Sequence, residues 1–178
     1  MRFIILSIVC IFICQPVSSQ ENIPVETANI TQKNVKLVDL TIDELKERIY
    51  HSTKNTKVIY FYRNSNTCEA SRLMNPAINE LYLKHKDKFD LFVVSRANKK
   101  NKESLHNYLF FEGYYFPVYM IGRNSFRSMF NKLCPDCNHR IIGYSGFFIL
   151  DSNNTLLNQT NYDLSKDEKI QMLSSYLD

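Results

Sequence analysis

Val58-Ile-Tyr-Phe-Tyr-Arg-Asn-Ser-Asn-Thr-Cys68-Glu-Ala-Ser71-Arg-Leu-Met-Asn-Pro76 is the stretch whose reading decides the fold of this chain. Val58 to Tyr62 is β-branched and aromatic with little alternation, which predicts a strand covered on both faces. The polar turn Asn64-Ser-Asn-Thr67 follows, then Cys68, then a helical pattern through Leu73, Ala77, Ile78, Leu81 and Tyr82. Pro76 lies inside that pattern and is expected to kink the helix. A thiol at the first turn of a helix meets unpaired backbone N–H groups and the positive end of the helix dipole, and both favour thiolate over thiol. Ser71 stands where a redox pair would carry its second cysteine.

Strands and helices alternate outward from this stretch. Thr41-Ile-Asp-Glu44 is a capping box, followed by an apolar face of Ile42, Leu45 and Ile49. Phe89 to Ser95 reads as a second buried strand and Lys102 to Phe110 as a helix. Tyr114 to Ile121 begins extended around Pro117, Ser125 to Phe130 suggests a short helix, and Leu133 to His139 reads as a tight loop. Tyr144 to Leu150 reads as a strand, Asp151-Ser-Asn-Asn154 as a hairpin turn and Thr155 to Gln159 as its partner. Ser165-Lys-Asp-Glu168 is a second capping box, opening a helix with Ile170, Leu173 and Leu177 apolar. Alternation of this kind predicts an α/β fold whose central sheet is mostly parallel, with a terminal antiparallel hairpin.

The first twenty residues are expected to be a signal peptide: Arg2 as a short positive region, an apolar run from Phe3 to Cys14, and a small, polar stretch ending near Ser19 or Gln20. That run is short of the roughly 20 residues a membrane span needs. Residues 21–36 read as a flexible lead-in carrying the sequon Asn29-Ile-Thr31, and 37–178 as one domain. Export is the expectation: the periplasm or cell envelope in a bacterium, the secretory pathway or outside the cell in a eukaryote.

Without Arg2, the 22 basic residues fall to 21 against 18 acidic ones, a net charge of about +3. The charges are interspersed, and no basic face with interleaved aromatics argues for nucleic acid. With 4 glycines and no GxGxxG or phosphate loop, nucleotide binding has no motif to rest on. Of 5 cysteines, Cys10 and Cys14 leave with the leader, so Cys68, Cys134 and Cys137 remain in an oxidising compartment. An odd set leaves at least one thiol free, transiently paired or paired with another molecule.

The order of elements and the residues around Cys68 resemble the thioredoxin superfamily. Cys68-Glu-Ala-Ser71 lies where that family places its C-x-x-C, Arg72 is the basic residue after it, and Pro76 falls at the kink proline. Ile142-Gly-Tyr-Ser145-Gly-Phe-Phe-Ile-Leu-Asp151 looks like the strand following the family's cis-proline, with Ser145 at the proline position and a trans bond expected before it. Pro117 is a competing candidate, set aside because the strand–turn–strand–helix ending follows Ser145 directly. The stretch from 99 to 140 exceeds a minimal thioredoxin by about one helix and an extended segment, which resembles the TlpA-type and peroxiredoxin-like branch. The resemblance implies a thioredoxin-like central mixed sheet flanked by helices, protein thiols or disulfides as partners, and no organic cofactor.

For chemistry, Cys68 is the candidate attacking thiolate and Ser71 its hydrogen-bonding neighbour. A hydroxyl cannot resolve a mixed disulfide, so a C-x-x-S site exchanges as a single thiol, holds a partner covalently, or is resolved by a thiol from elsewhere. Cys134-Pro-Asp-Cys137 is either that accessory redox pair or a structural disulfide. A zinc reading through Cys134, Cys137 and His139 lacks a fourth ligand. Tyr144 and Ser145 are the candidate walls of a substrate groove. Two functions stand side by side: a thiol–disulfide oxidoreductase or monothiol exchanger, and a catalytically inactive thioredoxin scaffold used for binding. A peroxidase through Cys68 lacks the expected Thr and Arg arrangement.

Overall fold

The computed structural model describes residues 35–63, 68–97, 99–122 and 126–177. The expected leader, nearly all of the lead-in with its sequon, and the turn at 64–67 lie outside these residues. Among the described residues, no helix is long and apolar enough to cross a membrane.

One six-stranded mixed sheet organises the chain. β1 (Leu37–Asp39), β4 (Val118–Met120), β3 (Phe89–Ser95) and β2 (Thr56–Tyr62) run parallel in that order, and β5 (Phe147–Leu150) and β6 (Leu156–Gln159) continue it antiparallel beside β2. The central strand is buried from Lys57 to Tyr62, as its unalternating sequence predicts. Its side chains still alternate between two cores. Val58, Tyr60 and Tyr62 join Leu91, Val93, Phe147 and Ile149 on one face, while Ile59 and Phe61 join Phe92, Val94 and Phe148 on the other.

Helices cover both faces. α2 (Glu69–His85), α3 (Lys102–Phe111) and α5 (Lys166–Ser174) place Met74, Ile78, Leu105, Leu109 and Leu173 on the first core. α1 (Ile42–Tyr50) and α4 (Phe126–Leu133) place Ile42, Leu45, Ile49, Met129, Phe130 and Leu133 on the second. Both expected capping boxes are formed: Thr41 with Glu44 opens α1, and Ser165 with Glu168 opens α5.

The hairpin turn is also as expected. Asp151 accepts the N–H groups of Asn153 and Thr155, each at 2.8 Å, and Asn154 takes φ 65°. Lys57, enclosed at the base of β2, fastens the same turn by donating to the Ser152 carbonyl (3.1 Å) and the Asn154 side chain (2.7 Å).

The structure departs from the sequence reading in three places. β1 is a three-residue strand at the sheet edge, where no element was expected. Residues 99–140 hold a 3-10 turn (Lys99–Asn101), α3, β4 and α4, and β4 lies inside the sheet between β1 and β3 rather than as a loose extended stretch. The strand expected from Tyr144 starts only at Phe147, because Ser145 sits at φ 65°, a left-handed conformation that a regular strand does not contain.

Candidate functional site

The site forms at the C-terminal end of β2, where the parallel strands stop and α2 begins. Cys68 is the N-cap of α2, with extended backbone (φ −145°, ψ 106°), and it is the free cysteine among the described residues. It is half-buried. Burial alone pushes its thiol up. The Ser71 hydroxyl, the backbone N–H groups of Ser71 and Ala70, and the Arg63 guanidinium act against burial and together hold it below the ordinary thiol value. Glu69, adjacent in sequence, forms an exposed pair with Arg72 at 3.6 Å.

Ser71 is fully enclosed, one helical turn into α2, and its Oγ lies 2.7 Å from Ser145 Oγ. Ser145 is equally enclosed. Its N–H donates to the Phe61 carbonyl at 2.8 Å, and the Phe61 N–H donates to the Gly146 carbonyl at 2.9 Å, so the loop pairs antiparallel with the end of β2 before β5 formally begins. This contact places Ser145, not Pro117, beside the thiol-bearing helix turn. Pro117 leads into β4, one strand further away beyond β3. No cis peptide bond occurs among the described residues.

The hydroxyls have one arrangement that serves a thiolate. Ser145 donates to Ser71, and Ser71 donates to Cys68, each donor polarising the next. Beneath them, the enclosed Tyr60 hydroxyl donates to Asn75 Oδ1 at 2.6 Å, and burial pushes its pKa well above the ordinary tyrosine value, so it stays protonated. Tyr60 and Asn75 carry no motif, which is why sequence reading passed over them. The same is true of Arg63, which sits within reach of the thiol.

Tyr144 is half-buried and held by two cations: the Arg63 guanidinium lies 4.9 Å from its ring centroid, and Arg96 Nη1 donates to its hydroxyl at 3.4 Å. Cys134 and Cys137 are bonded to each other and buried against Phe61, Phe130, Ile142 and Phe148, in the core on the α1 and α4 side of the sheet. The Cys68 helix packs on the other face. Closing so small a loop is worth about 2 kcal/mol in the chain-entropy account. The Cys134→Ser, Cys137→Ser double variant should therefore lose about 2 kcal/mol of unfolding free energy in urea while its Cys68 reacts with a model disulfide at an unchanged rate.

The chain matches no protein-family model and no curated protein sequence. Solved structures do resemble it. The thioredoxin domain of a thiol-disulfide oxidoreductase from Bacteroides vulgatus superposes with a TM-score of 0.53 at 14% identity, covering 71% of this chain and 81% of that one. StoA from Bacillus subtilis gives 0.52 at 14% identity, covering 72% and 86%. The peroxidoxin BcpB from Mycobacterium tuberculosis gives 0.53 at 11% identity, covering 75% and 82%. The fold of this chain is thioredoxin-like, a central mixed sheet flanked by helices.

Proposed function

We propose that this chain is an exported thiol–disulfide exchange protein acting through Cys68 as a single thiolate. The observation that carries the reading is the free, half-buried cysteine at the N-cap of α2, beside the enclosed Ser71 and held below the ordinary thiol value by its surroundings. The solved thiol-disulfide oxidoreductase domain with this fold supports it, as does the α3–β4 unit lengthening the sheet, which fits the TlpA-type and peroxiredoxin-like branch. The leader-like first twenty residues support export.

The chemistry balances as an exchange. Cys68 thiolate attacks one sulfur of a partner disulfide, a new S–S bond forms to Cys68, and the other partner sulfur leaves as thiolate. Ser71 has no sulfur with which to break the new bond, so a second external thiol must attack it, restoring Cys68 and carrying the partner away. Cys134–Cys137 acts in this reading as a staple of the second core, not as an electron carrier.

Because the thiol is held below its ordinary value, the iodoacetamide rate of Cys68 should fall only as pH drops through that depressed value. Ser71→Ala removes a donor to the thiolate and should move the inflection upward. An inflection near the ordinary thiol value of about 8.5, with no exchange against a model disulfide, would instead assign the chain to the inactive binding scaffolds.

A further inference from the structure

We propose that Asn153, at the tip of the β5–β6 hairpin, is an N-glycan acceptor, and that the fold closes the other sequon of this hairpin, at Asn158, to the same modification. The inference rests on the export part of the reading above, in its secretory-pathway form, and adds a modification site to it.

Asn153-Asn-Thr155 and Asn158-Gln-Thr160 both fit the pattern Asn-x-Ser/Thr with no proline in the middle. The pattern does not tell them apart, but the fold does. Asn153 and Thr155 are both exposed. Asp151 accepts their two N–H groups through its side chain, and the Asp151 N–H donates to the Thr155 carbonyl at 3.0 Å. The Asn154 N–H donates to the Asp151 carbonyl at 3.1 Å, so the turn satisfies its backbone internally. Asn154 points its side chain inward, where Oδ1 accepts from Lys57 Nζ at 2.7 Å. The Asn153 side chain has no hydrogen bond among the described residues, and a pinned turn offers its amide to solvent.

Asn158 is the opposite case. It pairs with Ile149 inside the sheet and is half-buried. Its Oδ1 accepts the Gln159 N–H at 2.9 Å, and its Nδ2 donates to the Tyr176 hydroxyl, just past α5, at 3.4 Å. Thr160, the third residue of that sequon, is fully enclosed, and its Oγ1 accepts the Phe147 N–H at 2.9 Å. A sugar on Asn158 would have to stand between β6 and the end of α5, so the folded chain has no room for it.

The location suits the exchange chemistry. The hairpin turn follows Leu150, which pairs with Lys57 near the start of β2, whereas Cys68 follows the far end of that strand. A bulky glycan on Asn153 therefore leaves the thiol open to large partners. The transfer balances without an oxidant or reductant. Asn153 Nδ2 bonds to the anomeric carbon of an oligosaccharide carried on a lipid diphosphate, the bond from that carbon to the diphosphate oxygen breaks, the lipid diphosphate leaves, and the amide gives up one proton.

The test expresses the full chain in cultured mammalian cells, with Asn29→Gln removing the sequon of the lead-in. Peptide-N-glycosidase should lower the apparent mass of the secreted protein by one glycan, and in heavy-oxygen water it should label position 153 alone. The shift should vanish in Asn153→Gln and in Thr155→Ala, and persist in Thr155→Ser and in Asn158→Gln. An unmodified Asn153 in the secreted protein overturns the proposal, and so does a labelled Asn158. If the chain stays inside the cells, the export reading fails. The same variants behind an established secretory leader then decide the site by the same two outcomes. The iodoacetamide rate of Cys68 should be equal before and after glycan removal, and a faster rate after removal overturns the placement away from the thiol.

Discussion

Ser71→Cys should turn a single-thiol site into a dithiol one. After oxidation the Cys68 thiol should no longer titrate, and a mixed disulfide formed at Cys68 should be released on the order of a hundredfold faster than in the wild type with millimolar external thiol. The argument is geometric. Positions three apart on a helix lie about 5–6 Å from each other, within the Cα separation that a disulfide spans. The chain closes the same spacing elsewhere, between Cys134 and Cys137, at a Cα separation of 5.3 Å. An internal thiol attacks at an effective concentration far above that of a dilute external one.

The substitution has a structural cost. Ser71 is fully enclosed and shares a 2.7 Å hydrogen bond with Ser145, which a thiol, larger and a weaker donor, cannot match. A loss of about 1 kcal/mol in urea unfolding is expected. Release kinetics of a Cys68 mixed disulfide are the decisive measurement. If the half-life is unchanged in a folded Ser71→Cys protein, the start of α2 does not present the two positions to one sulfur, and the exchange geometry proposed for the wild type loses its basis.

What the sequence disclosed follows from how local each signal is. The capping boxes at Thr41 and Ser165 were legible because both partners lie three residues apart, and the structure forms both. β2 was legible because burial on both faces leaves an unbroken apolar run. β1 was not: three residues at an edge carry no period, and only pairing with Val118–Met120, some eighty positions later, makes them a strand. β4 was legible only in part: Tyr114 to Ile121 reads as extended around Pro117, but its place between β1 and β3 emerges only when the sheet is assembled.

The site divides along the same line. Cys68, Ser71 and Ser145 were found because each stands at a position where the thioredoxin pattern expects something definite. Tyr60, Asn75, Arg63 and Arg96 were not, because their roles arise from segments far apart in the chain meeting at one sheet end. Whether Cys134 and Cys137 bond each other or serve Cys68 was likewise open in the sequence, because spacing alone does not say which face of a sheet a loop will cover.

Ser145→Pro should destabilise the protein by about 3 kcal/mol or more, although it puts in the residue that the thioredoxin resemblance expects at this position. Ser145 holds φ 65°, and its N–H donates to the Phe61 carbonyl. Proline fixes φ near −65° and has no N–H, so both the conformation and the bond are lost. The hydroxyl goes as well, leaving Ser71 Oγ enclosed without its 2.7 Å partner. Ser145→Ala separates these terms: it keeps the N–H, leaves the positive φ strained, and removes only the hydroxyl, for an expected loss of about 1–2 kcal/mol. Urea midpoints at constant m-value give the comparison directly. The chemistry should follow the stability, since the Ser71 donor to Cys68 is itself polarised by Ser145, and the alkylation inflection should rise in Ser145→Ala even at pH values where the variant stays fully folded. A Ser145→Pro protein as stable as the wild type would show that this loop can take the proline conformation. The left-handed serine and its paired hydroxyls would then cease to explain why this chain keeps a serine where the thioredoxin resemblance expects a proline.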